Sequence, residues 1–278
     1  MTIPPVIWMY WDQGANAQRA AYLDLCEQSI RRHAGDLHVR VLNAETARAL
    51  VTDLPRQWEQ LSPVHRSDVL RAHLLHEYGG VWIDADVVAV RPIRDLADAV
   101  VDCDFATFPD RDDAYIGVML AARGSLVARA WAEGQRALLD DGVNPGWETL
   151  GSGALMPALR KFGGNMLPIE KVYPVEWRDW RLFMSPTYPL ARVVAGNPVL
   201  VSFYNALMGP VLAEVTQEQI QRSRRLYARI LRYAYSNRMP RTEALRSTAE
   251  PFFSGLRRAR TSATYRFRRR LAETRART

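Results

Sequence analysis

The chain has 278 residues, 48% of them apolar and 24% charged, which suits a folded body with a substantial core and excludes wholesale disorder. No apolar run approaches the roughly 20 residues that a membrane-spanning helix requires. Residues 1–11 lack the basic start, apolar stretch and small-residue cleavage site of a secretory signal, so a cytoplasmic protein is expected. The net charge of +7 is unevenly spread: residues 221–278 hold seventeen arginines against Glu243, Glu250 and Glu273, or +14, leaving −7 for residues 1–220. An acidic body with a basic tail suits an anionic partner, nucleic acid or membrane, unless the tail is simply a solvated helical face.

Strands alternate with helices along the body, the pattern of an α/β sheet with helices packed on it. Residues 3–11 read as a strand, 18–33 as a helix and 38–43 as a second strand. A helix over 64–78 stops at Gly79, a residue suited to a helix C-cap. Residues 81–90 read as one strand ended by Pro92. Phe105 and residues 117–122 read as strands, 126–140 as a helix closed by Gly142, and 199–204 as a late strand. Residues 144–189, rich in glycine, proline and tryptophan, are expected to be loop-like and to carry substrate contacts. Cys26 and Cys103 have no metal or redox spacing and are expected in apolar packing.

The chemistry concentrates in residues 67–90. At about 100° per residue, Val64, Leu70, Leu74, Leu75 and Tyr78 cover one arc of the helix, and Asp68 and Arg71 fall inside it. Arg66, His73 and Glu77 are expected on the opposite, wet side. Burying an ionised carboxylate or guanidinium costs several kcal/mol unless it is paired. Asp68 and Arg71 must therefore satisfy each other, nearby groups or a ligand. One turn later, Val81-Trp82-Ile83 drives a strand into the core, and Asp84 and Asp86 emerge on one face at its end. Paired carboxylates suit a hard divalent ion, Mg²⁺ or Mn²⁺, whose open positions take the phosphate oxygens of a nucleoside diphosphate. A bare Asp-x-Asp also caps turns; the inward Asp and Arg one helix earlier make the pattern specific.

Ser67-Asp68-x-x-Arg71, followed by Tyr78-Gly79-Gly80-Val81-Trp82-Ile83-Asp84-Ala85-Asp86, resembles the signature of glycosyltransferases with a DXD sugar-binding motif. The type is that of capsular polysaccharide synthesis, related to yeast initiating mannosyltransferases and the large clostridial glucosylating toxins. The opening Ile3-Pro4-Pro5-Val6-Ile7-Trp8, with Trp11 following, is similar to that family's first strand, and the resemblance covers about residues 3–95. It implies a GT-A fold, a Rossmann-like α/β nucleotide-sugar-binding domain, here over 1–220, beside a basic helical C-terminal extension over 221–278. It further implies Mn²⁺- or Mg²⁺-dependent transfer from a UDP- or GDP-sugar to a glycan or lipid-linked saccharide in capsule or cell-surface polysaccharide synthesis, usually with retention at the anomeric carbon.

Carried over residue by residue, Asp86 is the more direct metal ligand, and Asp84 contacts the ribose or sugar and the metal. Ser67, Asp68 and Arg71 hold donor hydroxyls and the diphosphate side, and Arg71 with the cation stabilises the charge of the leaving nucleoside diphosphate. Trp8 lies beside the base, unless it is core packing. Asn205, after the late strand, is the candidate to complete the metal and phosphate site, although Ser202-Phe203-Tyr204-Asn205 lacks the His or Ser-Trp element of the relatives. Gly151-Ser152-Gly153 stands where relatives carry a Gly-Pro turn facing the acceptor; a plain loop is the alternative.

Two other classes fit parts of the sequence. Asp84-Ala85-Asp86-Val87-Val88 also resembles the first motif of haloacid-dehalogenase-type phosphatases, but neither Lys161 nor Lys171 is followed by that family's acidic pair. A non-enzymatic, nucleic-acid-binding tail has no base-reading motif beside it and an acidic body that repels phosphate, so no nucleic-acid partner is expected. In the tail, arginines at 222, 224, 225, 229 and 232 flank Leu226, Ile230 and Leu231, and a cluster over 257–270 surrounds Tyr265 and Phe267. Apolar residues between cations suit a helix lying in the headgroup layer. Peripheral binding through 221–278 to the anionic inner face of the plasma membrane is expected.

Overall fold

A computed structural model of the chain describes residues 2–12, 18–98, 100 and 103–236. Its first half runs β1 (Val6–Tyr10), α1 (Ala21–His33), β2 (His38–Leu42), α2 (Ala44–Leu50), α3 (Pro63–Glu77), β3 (Gly80–Ile83), β4 (Val87–Ala89), α4 (Arg94–Asp98), β5 (Phe105–Asp110) and β6 (Asp113–Ala121). The second half runs α5 (Leu126–Asp140), α6 (Ser152–Phe162), β7 (Asn165–Met166), α7 (Leu190–Val194), β8 (Leu200–Ser202), α8 (Asn205–Leu212), α9 (Gln217–Arg222) and α10 (Leu226–Ser236), with short 3-10 segments between them. The main sheet is mixed, in the order β2-β1-β3-β6-β5-β7, while β4 and β8 pair apart from it.

β1 is parallel to β2 on one side and β3 on the other, with Trp8 opposite Trp82. The chain thus leaves β1 in opposite directions, and the carboxyl ends of β1 and β3 flank the switch point where open α/β sheets bind ligands. Residues alternate strictly in β1: Ile7 and Met9 join Val81, Ile83, Val118 and Leu120 on one face, while Trp8 and Tyr10 join Trp82, Met119 and the α3 leucines on the other. Both faces are covered, so the strand reads as a continuous apolar run. Cys26 and Cys103 are buried.

The structure corrects several local expectations. Residues 81–90 do not form one strand: β3 ends at Ile83, a turn carries Asp84–Asp86, and β4 leaves for β8. A strand covered on both faces cannot hold two carboxylates without a large desolvation cost, and the turn frees them. α3 has no wet side along its middle, because α5 packs against the face that periodicity assigned to water. His73 is buried there against the Val69 carbonyl at 3.0 Å, whereas Val64, near the helix start, is exposed. Arg66 is half-buried between Asp12 and Trp58. Residues 144–189 contain α6 and two 3-10 segments rather than loop alone.

The boundary expected at 220/221 falls within a packed region. Leu226, Ile230, Leu231 and Ala234 of α10 are buried in a cluster with α1 and Phe183. Arg232 donates to the carbonyls of Ile220, Gln221 and Ser223 at 2.8–3.0 Å, a cation at the carboxyl end of α9. The body therefore runs at least through Ser236, and these apolar side chains are unavailable to a lipid surface. The cluster over 257–270 lies outside the described residues. Among the described residues no helix is long and apolar enough to cross a membrane.

The turn from α3 into β3 depends on two glycines in the left-handed region, Gly79 (φ +65°) and Gly80 (φ +101°). A Cβ on Gly80 would lie 2.6 Å from the Val6 carbonyl oxygen, and one on Gly79 2.6 Å from the Arg123 nitrogen. Gly80→Ala is expected to destabilise the protein by about 2 kcal/mol or more, read as a lower urea midpoint; an unchanged midpoint would show that the turn relaxes freely.

Candidate active site

Arg71 is the centre of the site. Its Nε donates to the Ser67 carbonyl (3.2 Å), Nη1 to the Ile116 carbonyl (2.6 Å) and Nη2 to Ser67 Oγ (2.8 Å). Nη2 also pairs with Asp68 Oδ1 at 3.2 Å and Asp84 Oδ1 at 3.4 Å, and the guanidinium lies 5.0 Å over the Trp82 ring. The (i, i+3) salt bridge is therefore present, and the same cation reaches the Asp-x-Asp turn. Ser67 serves to hold Arg71.

Asp84 sits at the carboxyl end of β3, with its N–H on the Gly117 carbonyl (2.8 Å) and Oδ1 accepting from Trp82 Nε1 (2.8 Å). Asp86 is fixed from the far end of the sequence: its carbonyl accepts from Phe203 N (3.0 Å) and its Oδ2 from the Asn205 backbone N–H at the start of α8. Asn205 thus reaches the site with its main chain, while its side-chain oxygen accepts from Tyr22. Tyr204 before it adopts φ +56°, and its hydroxyl is tied to the Val175 carbonyl at 2.7 Å.

Asp68 and Asp84 thus pair with one guanidinium, and Asp86 lies near enough to feel its charge. Burial pushes Asp68 up to about 7 against the pull of Arg71. Burial, then the neighbouring Asp84, pushes Asp86 up to about 7, with the Asn205 N–H opposing; burial raises Asp84 as well. Fully ionised, the group carries two negative charges in excess. A divalent cation would neutralise that excess, and carboxylate oxygens are the donors that Mg²⁺ and Mn²⁺ take. Among the described residues no cluster of three or more His, Cys, Asp or Glu could hold a metal ion. Asp84 and Asp86 are the carboxylates that could carry such a cation, with its remaining positions open to phosphate oxygens and water.

Trp8 does not fit its expected place beside a base. It is 2% exposed, its Nε1 donates to the Gly79 carbonyl at 2.8 Å, and Tyr78 and Arg40 pack on its ring. Its strand phase points it under α3. The half-buried aromatic at the end of β1 is Trp11, with Arg19 over its ring at 5.6 Å. Beside it, Asp12 accepts from Arg66 Nη1 (3.0 Å) and the Tyr10 hydroxyl (3.2 Å).

Gly151 comes to the site: a Cβ there would lie 3.6 Å from Asp68 Oδ2 and 2.7 Å from Ile116 Cδ1, and Ser152 Oγ donates to Asp113. Gln135 ties the two regions, its Nε2 donating to the carbonyls of Asp68 (2.8 Å) and Leu150 (2.6 Å). Sequence reasoning missed Trp11, Asp12, Gly117, Gln135 and the aromatic wall of Tyr115, Tyr173 and Tyr204. Gly117 alone carried a signal, since a glycine inside a strand marks a close approach.

The fold thus brings paired carboxylates to the carboxyl end of β3, beside the switch point where open α/β sheets bind ligands. Residues 2–119 match the family model described as "Capsular polysaccharide synthesis protein". Over 157 residues, the chain is 27% identical to the glycosyltransferase afumC of Aspergillus fumigatus, covering 48% of this chain and 40% of that protein. It is 27% identical over 146 residues to the lactosylceramide 4-alpha-galactosyltransferase of Pongo pygmaeus (50% and 65% covered), and 28% over 141 residues to that of Homo sapiens (48% and 39%). The chain thus spans about two fifths to two thirds of these relatives. Similar solved structures include the PaToxG glycosyltransferase (TM-score 0.45, 12% identity, 82% and 86% covered) and the galactosyltransferase LgtC (TM-score 0.44, 14% identity, 85% and 98% covered).

With its pKa near 7 rather than the usual 3.8, Asp68 holds a proton in the folded protein at pH values where the unfolded chain has released it. The resulting stability is present below about pH 4 and is lost as the pH rises toward about 7. In excess chelator, the denaturation midpoint of Asp68→Asn is therefore expected to fall less than that of the wild type between about pH 5 and about pH 8. Parallel pH profiles would show that Asp68 stays ionised throughout.

Proposed function

We propose that the protein is a Mn²⁺- or Mg²⁺-dependent glycosyltransferase that moves a hexosyl group from a UDP- or GDP-sugar to a saccharide hydroxyl in capsule or cell-surface polysaccharide synthesis. The observation that carries this reading is the pairing of Asp68 and Asp84 with Arg71 at the carboxyl edge of the sheet, with Asp86 on the turn after Asp84, within the matched segment. Asp86 and Asp84 would hold the cation, which when bound supplies Lewis-acid stabilisation of the diphosphate. Arg71, already fixed by its five contacts, offers a preorganised positive charge beside the bond that breaks, with no reorganisation at the moment of reaction. Asp68 and Asp84 accept hydrogen bonds from donor hydroxyls, and Asp86 is kept in place by the backbone of Asn205. Trp11, with Tyr10 and Asp12 at the end of β1, takes the role beside the base that the buried Trp8 cannot. The turn at Gly151 borders the acceptor side.

Two of the relatives are named for galactose transfer to lactosylceramide, so a galactosyl donor and a lipid-linked saccharide are the first candidates here. Residues 237–278 hold twelve arginines and three glutamates, +9 in all, enough to draw the protein to an anionic membrane bearing such an acceptor at about 1 kcal/mol per cation near the surface.

A thermal-shift screen of UDP-glucose, UDP-galactose and GDP-mannose with Mn²⁺ is expected to find one that stabilises the wild type, with the shift and donor turnover both abolished by chelator. Asp86→Asn should keep the fold and lose the activity; full turnover in chelator, or a fully active Asp86→Asn protein, would remove the cation from the reading. Deleting residues 251–278 is expected to reduce co-sedimentation with anionic vesicles while sparing donor hydrolysis, and salt should release the full-length protein because exposed charges are screened beyond about 8 Å. Vesicle binding that survives the deletion would count against the tail as the membrane contact.

A further inference from the structure

Gly117 lies inside β6, where a side chain would project between two oxygens. A Cβ there would stand 3.0 Å from Asp84 Oδ2 and 3.2 Å from the Tyr173 hydroxyl, so these oxygens are at most about 6 Å apart. Tyr173 is 3% exposed, yet its hydroxyl has no hydrogen-bond partner among the described residues. No hydrogen bond joins the two oxygens, and a separation of at most about 6 Å is no wider than two hydrogen bonds, the span that a single intervening oxygen bridges.

The phenol is held rigidly. Tyr115 stacks on its ring at 3.9 Å, Tyr204 at 6.3 Å, and Phe108 meets it edge-on at 5.6 Å. Burial, with Asp84, Tyr115 and Asp86 nearby, raises its pKa well above the usual value despite Arg71, so the group is a neutral donor. On the other side, Asp84 Oδ1 is occupied by Trp82 and Arg71, which leaves Oδ2 toward the gap. An occupant must donate to Oδ2 and accept from the phenol. A hydroxyl group or a water molecule does both, and the test below separates them; a phosphate oxygen has no proton to give, and an ammonium has no lone pair to offer.

We infer that Tyr173 is a donor-binding residue, its hydroxyl and Asp84 Oδ2 together gripping one hydroxyl group of the nucleotide sugar in the space that Gly117 leaves open. This rests on the glycosyltransferase reading above and adds to it a residue from outside the family-matched segment. The gripped hydroxyl belongs to the transferred sugar or to the ribose, and the two sources separate experimentally.

The test is Tyr173→Phe, which keeps the ring and removes only the hydroxyl. The free variant should be as stable as the wild type or more so, because an unpaired buried hydroxyl has been deleted, yet it should bind donor about tenfold more weakly. Affinities are measured with Mn²⁺ for whichever of UDP-glucose, UDP-galactose and GDP-mannose the wild type binds best, and for the matching nucleoside diphosphate. Weakening confined to the nucleotide sugar assigns the hydroxyl to the transferred sugar; equal weakening of both assigns it to the ribose. Unchanged binding of both overturns the inference, as does weaker binding of Mn²⁺ alone, which would make the bridging oxygen the cation's water. Gly117→Ala, whose methyl would enter the gap, should reproduce the donor defect with the fold retained by circular dichroism; normal donor affinity there also counts against the gap. A wild type that binds none of the nucleotide sugars would defeat the glycosyltransferase reading itself.

Discussion

One buried guanidinium organises this molecule. Arg71 can remain charged inside the protein only because Ser67, Ile116, Asp68 and Asp84 supply acceptors on nearly every side; removing such a partner would leave a charge in low dielectric at a cost of several kcal/mol. Those acceptors come from α3, β6 and the end of β3, so the cation fixes three elements relative to one another. The close approach has a steric counterpart in the glycines at 79, 80, 117 and 151, each of which stands where a Cβ would meet a neighbour within 3.0 Å.

The same arrangement leaves the site short of positive charge. Burial, helped by the charge of Asp84 at Asp68 and Asp86, raises the proton affinity of these carboxylates, and the fold answers at Asp86 with the N-terminus of α8 rather than a second basic side chain. The Asn205 N–H on Asp86 brings the partial positive charge of a helix start to the carboxylate. Holding it there places Tyr204 in the left-handed region, a strain of about 1–3 kcal/mol that the surrounding aromatic packing sustains.

The C-terminal part of the described chain closes this site from behind. β8 pairs with β4, α8 follows directly, and α9 and α10 pack behind them on α1 through one apolar cluster. Arg232, which composition groups with a basic tail, spends its charge on three carbonyls at the end of α9. The arginines of residues 222–236 therefore divide between structure and surface, and the excess positive charge of the sequence is left to residues beyond Ser236.

The α/β alternation, the helices α1, α3 and α5, and the set Asp68, Arg71, Asp84 and Asp86 were all legible in the sequence, because each is a local departure from or match to a short period. Charges inside an apolar arc announce themselves within a few residues. Trp8 against Trp11 was not decidable locally: β1 has two faces and an end, and only the packing of α3 shows that Trp8 is covered while Trp11 reaches the edge. The burial of His73 failed for the same reason, since helical periodicity registers one packing partner and α5 supplies a second. Asn205, Tyr173 and Gly117 gain their meaning from contacts across 33 to 119 residues of chain, and short-range patterns hold no record of such pairings. The sequence alone determined which carboxylates and which cation come together at this edge of the sheet; what surrounds them was decided by tertiary structure, because burial and hydrogen-bond partnership belong to the packed chain rather than to the segment.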